Sequence, residues 1–255
     1  MGNDADTTGA AAGDSRTAAD LATAAGELLL KIRAGLAAGT DPVDLRNRGD
    51  RESDDLLHAL LRERHPADKI LSEETADSPE RLTADRVWII DPLDGTREFG
   101  EDGRDDWAVH VALVEHGELV AGAVALPGLG VTFDSGTARL APRPDGPVRV
   151  VVSRTRRPEP VLNLAEKMDG RLVEMGSAGA KAMAVVRGEV DIYAHTGGQY
   201  EWDSAAPVAV ARAAGLHVSR IDGSALRYNQ PDPKLPDLLI CRPEYADRAL
   251  EVLNS

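Results

Sequence analysis

One segment constrains this chain more than any other: an apolar run that ends at once in a turn containing two carboxylates. Residues 87–90, Val-Trp-Ile-Ile, are followed directly by residues 91–96, Asp-Pro-Leu-Asp-Gly-Thr. Four consecutive large apolar residues predict a buried strand, and Pro92, which has no amide proton, predicts where regular strand pairing stops. The fold must therefore bury this strand and leave its carboxylates at the carboxyl end.

The turn after this strand has two chemical interpretations. Asp91 and Asp94 stand three residues apart, and a reversal at Gly95 can direct both carboxylates and the Leu93 carbonyl toward one point. Such oxygen atoms suit a hard cation such as Mg²⁺, and the amides after Gly95 could bind an anion. The alternative is a plain Asp-Pro turn capped by the second aspartate, an ordinary use of this residue in a sequence so rich in acids.

Three further carboxylate positions follow or precede apolar segments. Glu73-Glu74 closely follow the apolar step Ile70-Leu71. Asp50 precedes a helix predicted to bury Leu56 and its neighbours, and Asp203 is predicted to open a helix. For Asp50 and Asp203 the competing interpretation is helix N-capping. For the glutamates it is a solvated loop, so each position is consistent with the metal hypothesis without establishing it.

A small-residue segment provides a candidate anion site. Gly176-Ser177-Ala178-Gly179 precedes a predicted helix that contains Lys181, and helix N-termini attract anions. The same pattern is typical of close packing between a strand and a helix. No Gly-Lys-Ser/Thr follows, which excludes a Walker loop. The histidines form no close pair of zinc spacing, and the single cysteine, Cys241, excludes a disulfide framework.

Charge limits the classes of partner. The chain has 43 acidic and 29 basic residues, a net charge of −14, which argues against nucleic acid or an anionic membrane as the main partner. A small phosphorylated substrate remains compatible, because metal ions supply positive charge locally. No apolar run reaches the length of a membrane span. Residues 1–15 lack the basic start and apolar stretch of a signal peptide, so a cytoplasmic protein is expected.

The chain is predicted to form two domains after a disordered tail at residues 1–15. Residues 16–145 are expected to form an α+β metal-binding domain. It starts with a helix whose apolar positions are Leu21, Ala25, Leu28, Ile32 and Leu36, and it includes a hairpin with a longer loop at His116-Gly117. The proline-rich residues 141–147 are the candidate linker. In residues 146–255 predicted strands and helices alternate, which indicates an α/β layer.

Three motifs resemble the signatures of the inositol monophosphatase superfamily. They are Leu71-Ser-Glu-Glu-Thr75, Trp88-Ile-Ile-Asp-Pro-Leu-Asp-Gly-Thr96 and Trp202-Asp-Ser-Ala-Ala-Pro207, and the match runs from about residue 17 to about residue 245. Within the second motif, the continuation Asp-Gly-Thr-Arg-Glu-Phe99 is similar to the CysQ-type branch, which acts on 3'-phosphoadenosine 5'-phosphate. Gly103-Arg-Asp-Asp-Trp-Ala-Val109 is similar to actinobacterial members of that branch.

This resemblance implies a layered α-β-α-β-α sugar-phosphatase fold with the active site between its two halves. It also implies Mg²⁺-dependent phosphomonoester hydrolysis with two or three ions, inhibition by Li⁺, and a homodimer. The implied metal ligands are Glu73, Asp91, the Leu93 carbonyl, Asp94 and Asp203. The implied catalytic residues are Asp50 and Thr96, which orient and deprotonate the attacking water, and Glu73, which assists a third ion. The implied substrate contacts are the Gly95 and Thr96 amides, Arg97, Ser177, Lys181 and Asp203.

One position departs from the inositol phosphatases in this superfamily. They carry a glutamate seven residues before the last metal-binding aspartate, where this chain has Thr196. The departure favours a nucleotide, and the expected activity is removal of the 3'-phosphate of 3'-phosphoadenosine 5'-phosphate, extending to 3'-phosphoadenylyl sulfate, in sulfate assimilation. The alternatives are an inositol-1-phosphate or fructose-1,6-bisphosphate phosphatase and, in another class, a catalytically silent nucleotide sensor.

Overall fold

The computed structural model describes residues 4–35 and 39–255, with side chains from residue 13 onward. The helices are α1 (Asp4–Arg33), α2 (Pro42–Arg64), α3 (Thr96–Phe99), α4 (Glu159–Lys167), α5 (Ala178–Val186), α6 (Glu201–Ala213) and α7 (Ala246–Leu253). The strands are β1 (Lys69–Ser72), β2 (Arg86–Asp94), β3 (Ala108–Glu115), β4 (Glu118–Leu126), β5 (Val131–Asp134), β6 (Arg149–Ser153), β7 (Arg171–Met175), β8 (Ile192–Tyr200), β9 (His217–Ser219) and β10 (Lys234–Cys241). Leu36, the last position of the predicted apolar pattern, lies outside the described residues.

Two five-stranded sheets, in the strand orders β1-β2-β3-β4-β5 and β7-β6-β8-β10-β9, carry the fold. The apolar run of β2 is buried on both faces of the first sheet because alternate side chains point to opposite sides. Trp88 and Ile90 pack in one core with α1 and α2, whereas Val87 and Ile89 pack in another with α5 and α6.

The cores define five layers. The core that contains α5 and α6 also takes Tyr193 and Ile240 from the inner face of the second sheet. The outer face of that sheet packs Val150 and Ile192 against α4 and α7. The order is therefore α1/α2, first sheet, α5/α6, second sheet, α4/α7, which confirms the predicted α-β-α-β-α layering. Among the described residues, no helix is long and apolar enough to cross a membrane.

Helix α2 begins well before the predicted start. Asp41 caps it by accepting a hydrogen bond of 2.7 Å from the Val43 amide, so Asp50 lies inside the helix and is not its cap. The prediction was wrong because it relied on the apolar positions from Leu56 onward, whereas the first turns of the helix are mostly polar and exposed. Gly49 lies within these turns and provides room for packing, since a Cβ atom there would lie 2.9 Å from the Phe99 ring.

Helix α1 also begins early, at Asp4, where the sequence suggested a disordered tail up to residue 15. That expectation considered only how little apolar surface the segment can bury. Alanine-rich sequences have high helix propensity, and the end of the segment is held by the protein. Asp14 forms an ion pair of 2.8 Å with Arg86, and the Ser15 hydroxyl lies 2.8 Å from that of Ser135.

The predicted hairpin is present, but its loop is short. Strands β3 and β4 pair up to Glu115 and Glu118, which leaves only His116 and Gly117 in the turn. Their φ angles are 50° and 82°, as a type I′ turn requires. The Pro92 prediction holds in part, because β2 continues to Asp94 but its register with β3 is irregular between Asp91 and Asp94.

Candidate active site

Three aspartates from two elements meet at the carboxyl end of β2. Asp91 and Asp94 come from the strand end and Asp203 from the first turn of α6, and their carboxylate oxygens lie within 4.8 Å of one another. Asp91 is only 1% exposed. Buried like charges are costly unless a proton or a cation compensates them, and carboxylate oxygens are ligands suited to a hard divalent cation. The trio could therefore hold a metal ion.

The crowding of these acids is evident in their proton affinities. Burial, followed by the charges of Glu73 and Asp94, raises the pKa of Asp91 well above its usual range. Burial and the charge of Asp94 raise the pKa of Asp203 to about 6. Asp91 and Asp203 thus hold a proton more strongly than ordinary aspartates do, and a bound cation would compete with that proton.

Asp94 is held at the N-terminus of α5. Its carboxylate accepts hydrogen bonds from the Ala178 amide at 3.1 Å, from the Gly179 amide at 2.7 Å and from the Ser177 hydroxyl. The sequence predicted an anion site at this helix end, and the anion that occupies it is the Asp94 carboxylate of the same chain. The Ser177 hydroxyl, predicted as a substrate contact, donates its proton to this carboxylate.

His110 completes the surroundings of Asp94. Its Nε2 lies 3.2 Å from an Asp94 carboxylate oxygen and its Nδ1 lies 3.0 Å from the Trp202 carbonyl. Burial alone would raise the pKa of Asp94, but the charge and hydrogen bond of His110 hold it below its usual range. Burial alone would lower the pKa of His110, but the charge of Asp94 raises it above its usual value.

Sequence reasoning missed His110. His110 has no second histidine at zinc spacing, and a single histidine within the apolar strand β3 resembles a core residue. The informative signal is the strand register, because His110 is paired with Asp91 across β2 and β3. That pairing depends on the fold and is not visible as a spacing in the chain.

A pair formed by Asp50 and Thr96 lies beside the aspartates. The Thr96 hydroxyl donates to the Leu93 carbonyl at 3.1 Å and lies 3.4 Å from an Asp50 carboxylate oxygen. Burial and the charge of Glu74 raise the pKa of Asp50 to about 7. A carboxylate with a pKa near the working pH is suited to act as a general base.

Glu73 reaches the cluster from another direction. It follows β1, and although the residue is exposed, its carboxyl is close enough to Asp91 for the two groups to affect each other's pKa. Loss of water around the carboxyl, together with the charge of Asp203, raises the pKa of Glu73 to about 7. The predicted ligand Glu73 is thus linked to the trio through Asp91.

An open cleft of about 880 Å³ leads to Asp94 and Asp203. It lies between the two halves, as predicted, because residues 94–98 line it from the first half. Among the lining residues from the second half are Ser153, Arg156, Tyr193, His195 and residues 234–236. The basic residues Arg97, Arg156 and Lys234 line this cleft and are exposed. Although the chain as a whole is acidic, its cleft carries cations that could meet a phosphorylated ligand.

One predicted substrate contact, Lys181, and the predicted position of specificity, Thr196, need correction in their details. Lys181 lines the cleft, but its ammonium group donates to the Gly176 and Ser177 carbonyls at 3.0 and 2.7 Å, so much of its capacity is used within the protein. Thr196, the expected position of specificity, is not among the cleft-lining residues. On β8 the cleft receives Tyr193 and His195, and the side chain after His195 points to the opposite face of the strand.

Comparisons with known proteins agree with the motifs. The model of the inositol monophosphatase family matches residues 14–253. A 3'-phosphoadenosine 5'-phosphate phosphatase of Mycobacterium leprae (strain TN) is 52% identical, with 94% of this chain and 93% of that protein covered. The 3'(2'),5'-bisphosphate nucleotidase CysQ of Escherichia coli (strain K12) is 30% identical, covering 82% and 91%. The crystal structure of CysQ from Bacteroides thetaiotaomicron superposes with a TM-score of 0.75 at 26% identity, covering 90% of this chain and 97% of that one.

Proposed function

The chain belongs to the inositol monophosphatase family, and from that membership we propose that it is a Mg²⁺-dependent phosphatase that removes the 3'-phosphate of 3'-phosphoadenosine 5'-phosphate. The products are AMP and inorganic phosphate. The observation that carries this proposal is the aspartate trio, of which Asp94 and Asp203 line a cleft that also contains exposed basic residues. The similarity to a 3'-phosphoadenosine 5'-phosphate phosphatase supports the choice of substrate.

The donor set fits Mg²⁺. Carboxylate oxygens of three aspartates lie close together, and the raised pKa values of Asp91 and Asp203 indicate that positive charge is favoured there. The residues that would hold the ions are Glu73, Asp91, the Leu93 carbonyl, Asp94 and Asp203. When bound, such ions acidify water and stabilise negative charge on the phosphoryl and leaving oxygens.

The protein's own part begins with the attacking water. The Thr96 oxygen accepts a hydrogen bond from the water, and Asp50, close to the same hydroxyl, takes the proton that the water loses. The pKa of Asp50, about 7, suits this transfer near neutral pH. Because phosphoryl transfer depends mainly on positioning and charge stabilisation, the hydrogen bond from Thr96 to Leu93 serves to hold the hydroxyl in place.

Substrate orientation is assigned to the cleft and the turn that follows β2. The Gly95 and Thr96 amides would hold the reacting phosphate. Arg97 and the other basic residues of the cleft would attract the negative charges on the rest of the nucleotide. Lys181 would act mainly by shaping the wall, since its ammonium group is bound to backbone carbonyls.

The finer parts of the proposal come from the family resemblance. They are action on 3'-phosphoadenylyl sulfate, a role in sulfate assimilation in the cytoplasm, inhibition by Li⁺, a homodimeric assembly and a site of two or three ions.

A phosphate-release panel tests the proposal. Purified protein is assayed at saturating Mg²⁺ with 3'-phosphoadenosine 5'-phosphate, inositol-1-phosphate and fructose-1,6-bisphosphate, with and without a chelator. We expect the highest kcat/KM for the nucleotide and loss of activity with the chelator. A higher kcat/KM for inositol-1-phosphate or fructose-1,6-bisphosphate would contradict the proposed substrate. Binding of the nucleotide without any turnover would indicate a catalytically silent nucleotide sensor.

A further inference from the structure

Asp54 accepts hydrogen bonds from both ends of the segment that carries Glu73, and these two bonds form a clasp around it. Asp54 lies on α2 one helical turn after Asp50 and is 7% exposed. One of its carboxylate oxygens accepts a hydrogen bond of 2.6 Å from the Ser72 hydroxyl, and the other accepts one of 2.7 Å from the Thr75 hydroxyl. The two donors stand on either side of Glu73-Glu74, so a single carboxylate closes this short stretch into a loop.

The immediate surroundings of Asp54 leave the two hydroxyls as its main partners. His58 Nε2 is 3.5 Å from the carboxylate, but burial lowers the pKa of His58 and favours its neutral form at neutral pH. The loop is tightened further by the Glu74 amide, which donates to the Ser72 hydroxyl at 3.3 Å. Removing the Asp54 carboxylate would thus break both side-chain hydrogen bonds that close the loop, while Ser72 stays paired with β2 through the backbone.

The same turn of α2 also forms a hydrogen bond to the strand end that carries Asp91. The Ser53 hydroxyl donates to the Pro92 carbonyl at 2.8 Å, directly after Asp91. Ser53 and Asp54 are neighbours on a rigid helix, so they fix the distance between the strand end that carries Asp91 and the loop that carries Glu73. Neither residue belongs to the cluster of carboxylates that could hold an ion.

We propose that Asp54 is a positioning residue that presets Glu73 for the divalent cation. The inference rests on the proposed Mg²⁺ dependence. Without the clasp, the Glu73 loop has more conformations to lose when the cation binds, and that loss appears as weaker binding. Removing groups that orient metal ligands typically costs about 10–100-fold in metal affinity. The loss of Mg²⁺ affinity should exceed the loss of kcat measured at saturating Mg²⁺.

The test measures Mg²⁺ binding directly. Asp54→Ala is compared with the wild type by calorimetric titration of the full chain with MgCl₂, by Tm without metal, and by the Mg²⁺ dependence of phosphate release. We expect the Kd for Mg²⁺ to rise about tenfold. Asp55→Ala is the matched control, because Asp55 is the next residue of the same helix and is exposed, and its Kd should equal that of the wild type.

Two further variants keep the proposal testable if Asp54→Ala does not fold. Thr75→Val and Ser72→Ala each remove one donor of the clasp while leaving the Asp54 carboxylate in place, and each should raise the Kd by a smaller factor. Unchanged Kd values in all folded clasp variants would overturn the role of Asp54 while leaving the proposed function intact. A wild-type protein that binds no Mg²⁺ in the titration would overturn both.

Discussion

Asp91 has to be considered together with the proton or cation that accompanies it. It is nearly inaccessible to water and lies against Asp94 and Asp203, so the bare carboxylate is unfavourable and its pKa rises. In the proposed enzyme the cation takes the place of that proton. Asparagine resembles the protonated aspartic acid in size and charge but cannot become an anionic ligand. A substitution by asparagine should therefore preserve the metal-free fold while it weakens cation binding.

Asp91→Asn should remove most of the activity while the fold survives. We expect a loss of about 100-fold or more in kcat/KM, the size seen when a main stabiliser of transition-state charge is removed. Without metal, Tm should stay close to the wild-type value, and the increase in Tm caused by Mg²⁺ should shrink. Thermal melts and phosphate release at several Mg²⁺ concentrations measure both. Near wild-type turnover at limiting Mg²⁺ would contradict the assignment.

Thr96 is assigned to the water and not to the cation. Thr96→Ala should lower kcat much more than it changes the Mg²⁺ concentration needed for half-maximal activity, since assistance to proton transfer is worth roughly 10²–10⁴-fold. Thr96→Ser, which keeps the hydroxyl, is the matched control and should retain most of the activity. If Thr96→Ala affects only Mg²⁺ affinity, with kcat unchanged at saturation, the hydroxyl has another role.

The start of α5 supports the site by holding the side chain of Asp94. Its N-terminal amides bind the Asp94 carboxylate, and His110 contacts the same carboxylate from β3. These contacts require a glycine in the helix, because a Cβ atom at Gly179 would lie 2.1 Å from His110 Nε2. The small residues before Lys181 are therefore explained by close packing as much as by anion binding.

Gly179→Ala should displace His110 or the first turn of α5 and so disturb Asp94. Overpacking of this kind costs about 1–3 kcal/mol, and we expect both a lower Tm and weaker Mg²⁺ binding. Gly13→Ala makes the same substitution in α1 at an exposed position with no atom within 4 Å of the added Cβ, and it should be neutral or slightly stabilising. Equal Tm and Mg²⁺ affinity in the two variants would show that the contact at His110 relaxes without cost.

Elements also mark the limit of what the sequence could predict. The apolar run before Asp91 and the alternating pattern of the second half predicted most strands and helices, because burial dictates periodicity. Asp50 was misplaced because the residues before it in α2 are mostly polar and exposed and lack the apolar pattern, although Gly49 among them packs against Phe99. His110 was missed because its pairing with Asp91 arises from strand register. Both errors concern contacts between distant segments, which local patterns do not record.

In the whole molecule, the layered arrangement puts opposite charges at one opening. The chain carries a net charge of −14, and the aspartates Asp91, Asp94 and Asp203 meet at the end of β2. Arg97, from the first half, and Arg156 and Lys234, from the second, face the same cleft. Cations and phosphorylated substrate are thus attracted to adjacent parts of a single opening, and the site requires both halves of the fold.

This arrangement makes stability depend jointly on pH and Mg²⁺. The pKa values of Asp50 and Glu73 are raised to about 7 and that of Asp203 to about 6. Carboxyl groups in the unfolded chain titrate near pH 4, so the folded state binds more protons between pH 4 and pH 7. By linkage, these groups stabilise the metal-free fold most below pH 4, and that stabilisation is lost as the pH rises through 6 and 7.

Mg²⁺ should therefore raise Tm more at pH 8 than at pH 5. At low pH the ion must displace protons from the carboxyls, whereas at high pH it meets carboxylates that repel one another. At about one hundred times its Kd, a ligand adds about 2.7 kcal/mol, which corresponds to an increase of roughly 5–10 °C for a chain of this size. Melts with MgCl₂ and with NaCl at equal ionic strength separate binding from screening. An increase in Tm that is the same at both pH values, or is matched by NaCl, would mean that these carboxyls do not bind the ion.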